Sequence, residues 1–183
     1  RIVMLDPRRA AARAAARRMA QSLHEEAGGT VGYSVRLDSK VSAKTRIEVV
    51  TEGILTRRIQ ADPALTGTGL LIFDEFHERS LDADLGLALA LDSQGALRPD
   101  LKILIMSATL DTDAITALLG RETPVIRAAG RSFPVTTQHL ARTTPQTLVD
   151  DTVKAMQQPL TETEGSILAF LPGMGEIRRT VAA

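Results

Sequence analysis

The sequence predicts an α/β domain built on a largely parallel sheet, and three observations predict it. Short apolar runs alternate with longer stretches of helical period. The runs are nearly continuous in aliphatic residues, as strands covered on both faces are. The helical stretches open on capping residues: Asp6-Pro7, Ser80 and Asp111.

The first strand is Ile2–Leu5. Asp6 is read as the cap of the helix that follows, with Pro7 at its first position and Gly28 or Gly29 at its end. Ala12, Ala16, Met19 and Leu23 share the period that should face the sheet, and Arg9, Arg13 and Arg17 lie on an adjacent face. Ile47–Val50 is the next strand, followed by a helix over 53–61 that stops before Asp62-Pro63. Leu70–Phe73 is a third strand. Ser80 caps the helix after it, Asp82 and Asp84 suit its positive end, and Leu81, Leu85, Ala88 and Leu89 give an apolar stripe. Residues 101–106 form a strand, Asp111 starts a short helix closed by Gly120, and 125–127 is a further strand candidate.

Beyond Pro124 the character changes. Gly130 and Pro134 flank Arg131-Ser132-Phe133, a linker-like turn. A strand over 135–140, a helix opened by Thr144-Pro145, a strand over 167–171 and a helix-like end follow. The boundary is expected near 124–133, dividing the chain into a domain over 1–125 and the beginning of another over 126–183. No internal repeat is present.

Composition excludes several functions. With aromatics at 3%, a 44% hydrophobic chain must build its core from Ala, Leu, Ile and Val. The absence of cysteine removes disulfide frameworks, thiolate zinc sites and Cys nucleophiles. A formal net charge of zero gives no global pull toward nucleic acid, but Arg8, Arg9, Arg13, Arg17 and Arg18 crowd together while acids collect between Asp74 and Asp84. No apolar run approaches the roughly 20 residues of a membrane helix, and the expected location is the cytoplasm. Arg1 opens directly on an apolar run and the last residues fall in a helical pattern, so both ends read as cuts.

The chemistry is concentrated where Leu70–Phe73 runs into Asp74-Glu75-Phe76-His77. Ligands of open parallel sheets bind at the carboxyl ends of the strands, which is where these acids fall. Nucleotide hydrolysis divides two jobs between such groups. Asp74 suits the holding of Mg²⁺, through water, and Glu75 the orientation or deprotonation of the attacking water. An isolated Asp-Glu pair is more often a solvated strand end. Here a second strand end, Ser107-Ala108-Thr109, supplies hydroxyls able to reach the acids or His77.

Asp74-Glu75-Phe76-His77-Glu78-Arg79-Ser80 resembles motif II of the DEAH-box helicases, and Ser107-Ala108-Thr109 resembles their motif III. Leu5-Asp6-Pro7-Arg8-Arg9 is similar to motif Ia, and Thr51-Glu52-Gly53-Ile54-Leu55 to motif Ib. Val31-Gly32-Tyr33-Ser34-Val35-Arg36, Gly130-Arg131-Ser132-Phe133-Pro134-Val135 and Ala169-Phe170-Leu171-Pro172-Gly173 with Glu176-Ile177 also have counterparts there, the last in motif IV. Phe76 within motif II, and the run from Ser80 to Leu91, point to the bacterial HrpB branch. Glu52 stands where many relatives carry Asp.

The resemblance implies an incomplete RecA-like domain, a parallel sheet with flanking helices, followed by the start of a second RecA-like domain. It implies ATP and Mg²⁺ as cofactors and a single-stranded or partly duplex nucleic acid, RNA in preference, as partner. Asp74 and Glu75 would serve the nucleotide and its metal. His77, grouped with them as catalytic, would couple that site to Ser107 and Thr109. Arg8, Arg9, Thr51 and Gly53 would hold the nucleic-acid backbone. Arg8 and Arg9 sit near a helix N-terminus, where the dipole disfavours cations by roughly 0.3–1 kcal/mol, so a docked phosphate would explain them; a solvated Arg-rich face is the plainer alternative. No aromatic platform supports base-specific stacking.

The family's Gly-Lys-Thr phosphate loop is not among these 183 residues, and motifs V and VI would lie beyond Ala183. These residues alone are therefore expected not to hydrolyse ATP. A sheet lacking the strand that feeds that loop would have an unpaired edge and marginal stability. Two other readings stay open: a different P-loop NTPase using the same acid pair, and a non-catalytic nucleic-acid-binding module.

Overall fold

The computed structural model describes residues 1–108, 112–120, 122–128, 130, 133–140, 148–162 and 164–183. They fall into two compact units, Arg1–Arg127 and Ala128–Ala183.

The first unit holds a six-stranded sheet in the order β3-β2-β4-β1-β5-β6. Its strands are β1 (Ile2–Leu5), β2 (Val31–Val35), β3 (Asp38–Lys40), β4 (Ile47–Val50), β5 (Leu70–Phe73) and β6 (Lys102–Ile105). Only β3 runs antiparallel, as a hairpin partner of β2; every other pairing is parallel. β6 is shorter by a residue at each end than the predicted 101–106 strand. The β2–β3 hairpin was not predicted, because its polar residues mask the alternation of Val31, Tyr33 and Val35.

Alternate residues of β4 enter different clusters, so the sheet is covered on both faces. Val49 packs with Val31, Tyr33 and Ala12, Ala16 and Ala20 of α1 (Arg9–Ser22). Val50 packs with Val3, Leu5, Leu71 and Phe73 beneath α2 (Glu52–Ala61) and α3 (Leu81–Ala96).

Three helix expectations need correction. Asp6 does not cap α1 directly. Its amide is still bonded to the Val50 carbonyl at 3.0 Å, so two more residues are needed to leave the sheet, and Arg8 is the N-cap residue. Asp6 instead accepts the Arg8 amide on Oδ1 at 2.9 Å, stiffening the turn around Pro7. Nor does α1 extend to Gly28 or Gly29. His24, at φ 56°, takes the left-handed position usually given to glycine, and Glu25 N–H to Ala20 O with His24 N–H to Gln21 O completes a Schellman closure. Leu23 is consequently half exposed, and Ala20 replaces it in the core.

The predicted stripe of α3 is also displaced. Leu81 is 85% exposed and Leu85 42%, whereas Ala83, Gly86, Leu87, Ala90 and Ser93 are buried. The buried residues recur at i, i+3, i+4 and i+7 from Ala83, so the helical period holds and only its phase differs from the predicted stripe. A Cβ at Gly86 would lie 3.6 Å from Leu55 Cδ2 and 3.8 Å from Phe73 Cε1, so a small residue there lets α3 approach α2 and β5 closely. Ser80 caps α3 as expected: its Oγ accepts the Ala83 amide at 2.9 Å while donating to Glu52 Oε1 at the start of α2. Ser80→Ala should cost about 0.5–2 kcal/mol, read as faster hydrogen exchange in the first turn of α3.

Asp111 lies outside the described residues; the helix after it, α4 (Thr112–Leu119), ends at Gly120 with φ 107°. The candidate strand at 125–127 does not form.

The second unit contains α5 (Leu148–Glu162), with Pro159 inside it, and α6 (Met174–Ala182) packed against it. The strands predicted over 135–140 and 167–171 are not formed. A strand needs a neighbour to satisfy its amides and carbonyls, and none is present among the described residues of this unit. Val135, Leu140, Leu168 and Phe170 are exposed instead. Arg131, Ser132, Thr144 and Pro145 lie outside the described residues.

Candidate functional site

The parallel register assembles the site. Leu5 pairs with both Val50 and Phe73, and Phe73 pairs with Ile105. The next residue of each strand is therefore brought to one edge: Thr51, Asp6, Asp74 and Met106. Backbone bonds carry the ladder one step further, from Asp6 N–H to Val50 O, Asp74 N–H to Leu5 O and Met106 N–H to Phe73 O, at 2.8–3.0 Å. This is the carboxyl edge of the sheet, where parallel α/β domains bind their ligands. A cavity of about 440 Å³ between Arg1, Thr30, Arg46 and Gly69 opens at the opposite ends of the strands and stands apart from this chemistry.

Asp74 and Glu75 follow β5, an interior strand flanked by β1 and β6. Asp74 Oδ1 accepts the Glu75 amide at 2.9 Å. Glu75 takes a left-handed backbone, φ 50°, and leads into the 3₁₀ turn Phe76–Glu78; Arg79, at φ 43°, closes it. Such conformations cost a non-glycine residue about 1–3 kcal/mol and cluster at functional sites. The turn is held because Phe76 is buried, packs edge-on against Phe73 at 6.3 Å between centroids, and donates its amide to Met106 O at 3.1 Å. The Arg79 guanidinium lies over the Phe76 ring at 5.5 Å from its centroid. His77 Nδ1 lies 3.3 Å from Glu75 Oε2, so the imidazole sits on the carboxylate assigned to the water. The Phe76–Met106 bond also brings the segment that enters Ser107 beside this turn. Thr109 lies outside the described residues.

The four nucleic-acid candidates flank the same edge. Arg8 precedes α1 with 72% of its side chain exposed, and its Nη2 pairs with Glu78 Oε1 at 2.7 Å. Arg9 is the exposed first residue of α1. Arg13, one turn on, is engaged by Asp38, which also receives the Tyr33 hydroxyl. Thr51 is the N-cap residue of α2 and is 8% exposed; its side chain makes no capping bond. Gly53 is exposed, and a Cβ there would meet nothing within 4 Å. Neither packing nor a left-handed backbone demands glycine at that position.

Sequence reasoning assigned no site role to Asp6, Glu78 or Ser80. Asp6 is 6% exposed. Burial, with the charges of Asp74, Glu75 and Glu78, pushes its carboxyl above the usual range against the pull of the Arg8 amide. The only signal was its place as the first polar residue after β1, the feature that singled out Asp74 after β5.

A largely parallel sheet with helices on both faces and paired acids at its carboxyl edge is the architecture of a RecA-like domain. No protein-family model matches the chain. Its sequence is 54% identical over 179 residues to the ATP-dependent RNA helicase HrpB of Escherichia coli K12, covering 98% of this chain and 22% of that protein. It is 38% identical to the ATP-dependent RNA helicase HrpA of the same organism and 38% identical to the HrpA homolog of Haemophilus influenzae, in each case over 97% of this chain and 14% of the relative. A crystal structure of the E. coli DEAH/RHA helicase HrpB superposes with a TM-score of 0.89 at 53% identity, covering all of this chain and 23% of that one. Another, described as the E. coli DExH-box NTPase HrpB, gives 0.75, again at 53% identity, with 22% of its chain covered.

The HrpB resemblance drawn from the motifs is thereby borne out. The chain is HrpB-like in sequence across 98% of its length and in fold across all of it. It spans 22% of the HrpB relative and 14% of each HrpA relative. Among the described residues, no helix is long and apolar enough to cross a membrane.

Proposed function

We propose that the protein containing these residues is an ATP-dependent RNA helicase or translocase acting in the cytoplasm, with 1–125 belonging to its first motor domain and 126–183 to its second. The observation that carries the reading is the position of Asp74 and Glu75 at the carboxyl end of an interior parallel strand, in a chain 54% identical to an RNA helicase.

The residues fit a magnesium nucleotide. Magnesium prefers hard oxygen donors and keeps several of its waters. Asp74 offers a carboxylate of which only Oδ1 takes a hydrogen bond from the described residues. When bound, the metal supplies charge neutralisation on the phosphates. Glu75 orients the attacking water and accepts its proton, and His77 holds the Glu75 carboxylate in place. Ser107 and Thr109 relay the state of this edge onward. Arg8 and Arg9 engage phosphates of the strand, with the Thr51 hydroxyl and the open backbone at Gly53 beside them.

The test is an ATPase titration of the complete protein with single-stranded RNA. Turnover should rise with RNA, and log affinity should fall by roughly 0.7 per phosphate contact per log unit of salt. Turnover indifferent to RNA would exclude the motor. The 183 residues by themselves, which contain no Gly-Lys-Thr loop, should show no turnover; native rates from them would overturn the assignment.

A further inference from the structure

Glu78 is not needed for the chemistry described above, yet its carboxylate occupies Arg8, one of the proposed strand contacts. Arg8 is 72% exposed and Glu78 33%, at 2.7 Å. A surface pair of this kind is weak and easily exchanged. A nucleic-acid phosphate can take the guanidinium by two parallel bonds, a stronger arrangement than the single contact seen here. The α1 dipole also favours an anion beside Arg8, so the same position suits either occupant, and the two must compete.

Glu78 is built into the turn that carries Glu75. Its amide donates to the Glu75 carbonyl at 2.9 Å, closing the 3₁₀ turn. Phe76 pins the turn at its middle through the Met106 carbonyl and the core, while its two ends, Glu75 and Arg79, both have left-handed backbones. A pull on Glu78 is therefore delivered to Glu75 across one closed turn. A second tie runs from the other end of the segment: Ser80 donates to Glu52, between Thr51 and Gly53.

We propose that Glu78 is a positioning residue for hydrolysis: it latches onto Arg8 in the absence of nucleic acid and yields Arg8 to a phosphate of the bound strand. Strand binding is thereby transmitted to Glu75 through the turn. The inference rests on the reading of Arg8 as a strand contact. By linkage, whatever affinity the strand gives up in displacing Glu78 reappears as a change in the state of the turn.

The experiment compares Glu78→Gln, Arg8→Ala and the double variant in the complete protein, using an oligouridine probe, with RNA affinity and ATP turnover measured with and without RNA. Glu78→Gln should bind the probe about 1.5- to 5-fold more tightly, the span of a surface ion pair. Its RNA-free turnover should rise, so that the stimulation ratio falls. Arg8→Ala should bind more weakly, and adding Glu78→Gln to it should change neither quantity. A weakened Arg8→Ala alongside a Glu78→Gln that matches wild type in affinity and stimulation ratio overturns the latch but leaves the strand contact standing. Additive effects in the double variant do the same. Unchanged affinity in Arg8→Ala removes the contact and the latch together.

Discussion

Glu75→Gln in the complete protein is expected to lower ATP turnover by about 10²- to 10⁴-fold, the range a positioned general base supplies, with nucleotide binding retained. Glutamine keeps the length and shape of the side chain, and the left-handed backbone at φ 50° and the Asp74–Glu75 bond do not depend on its charge. What disappears is the proton acceptor. Nothing described replaces it: the His77 imidazole sits against Glu75 itself, 3.3 Å away, and the proposed function gives Asp74 to the metal. Asp74→Asn should separate the two roles, because it weakens magnesium-dependent nucleotide binding as well as turnover. Single-turnover hydrolysis beside equilibrium nucleotide binding makes the distinction. A Glu75→Gln protein turning over within a few-fold of wild type would remove Glu75 from the base role.

The strain around Glu75 gives a reason why the acid pair is so exposed to its surroundings. Two left-handed, non-glycine residues within five positions persist only where neighbours hold them. Here the restraint comes from Phe76 in the core, the Met106 carbonyl of the adjacent strand end and the Arg8–Glu78 pair. Two of these are internal to the fold and fixed. The third lies at the surface, where a ligand can change it.

Three of the strands were legible because their aliphatic runs leave no other choice: Ile2–Leu5, Ile47–Val50 and Leu70–Phe73 appear at the predicted bounds. The same logic failed beyond Pro124. The β-branched segment at 135–140 and the apolar run at 167–171 have the composition of strands, but pairing is a property of a neighbour, which composition does not contain. The inner face of α3 was illegible for another reason. Apolar residues offer two stripes of helical period, one through Leu81 and one through Ala83, and the buried one is that which contains Gly86, packed toward Leu55 and Phe73. At the site, Asp74, Glu75 and His77 could be grouped because they fall within four positions directly after a strand. Asp6 and Glu78 could not be assigned, because their importance lies in crossings between β1, α1 and the turn after β5. Those crossings follow from strand order.

The largest stability effect is expected from Arg58→Met, through the buried carboxylate of Glu48. Glu48 lies on β4 with 3% of its side chain exposed, gripped by Arg58 at 2.7 and 3.1 Å and by the Ser34 hydroxyl at 2.7 Å. Burial pushes its carboxyl up, but the hydrogen bonds from Arg58 and Ser34 and the Arg58 charge outweigh burial and hold it below the usual range. Its contribution to stability is therefore present above the unfolded value, about 4.3, and is lost as pH falls through the lower folded value. Removing Arg58 leaves the desolvation and takes away most of the compensation, so stability should drop by roughly 3–5 kcal/mol at neutral pH. The pH dependence should also reverse. With the folded carboxyl now above its unfolded value, the variant loses stability as pH rises past about 4.3 toward neutrality. Replacing Glu48 and Arg58 together by apolar residues of similar size should be far milder, because no charge is then left stranded. Hydrogen exchange at the β4 and α2 amides, followed across pH, reads all three variants. A single replacement no worse than the double would mean that the buried carboxylate finds water without Arg58, and that the clamp does not hold β4 to α2.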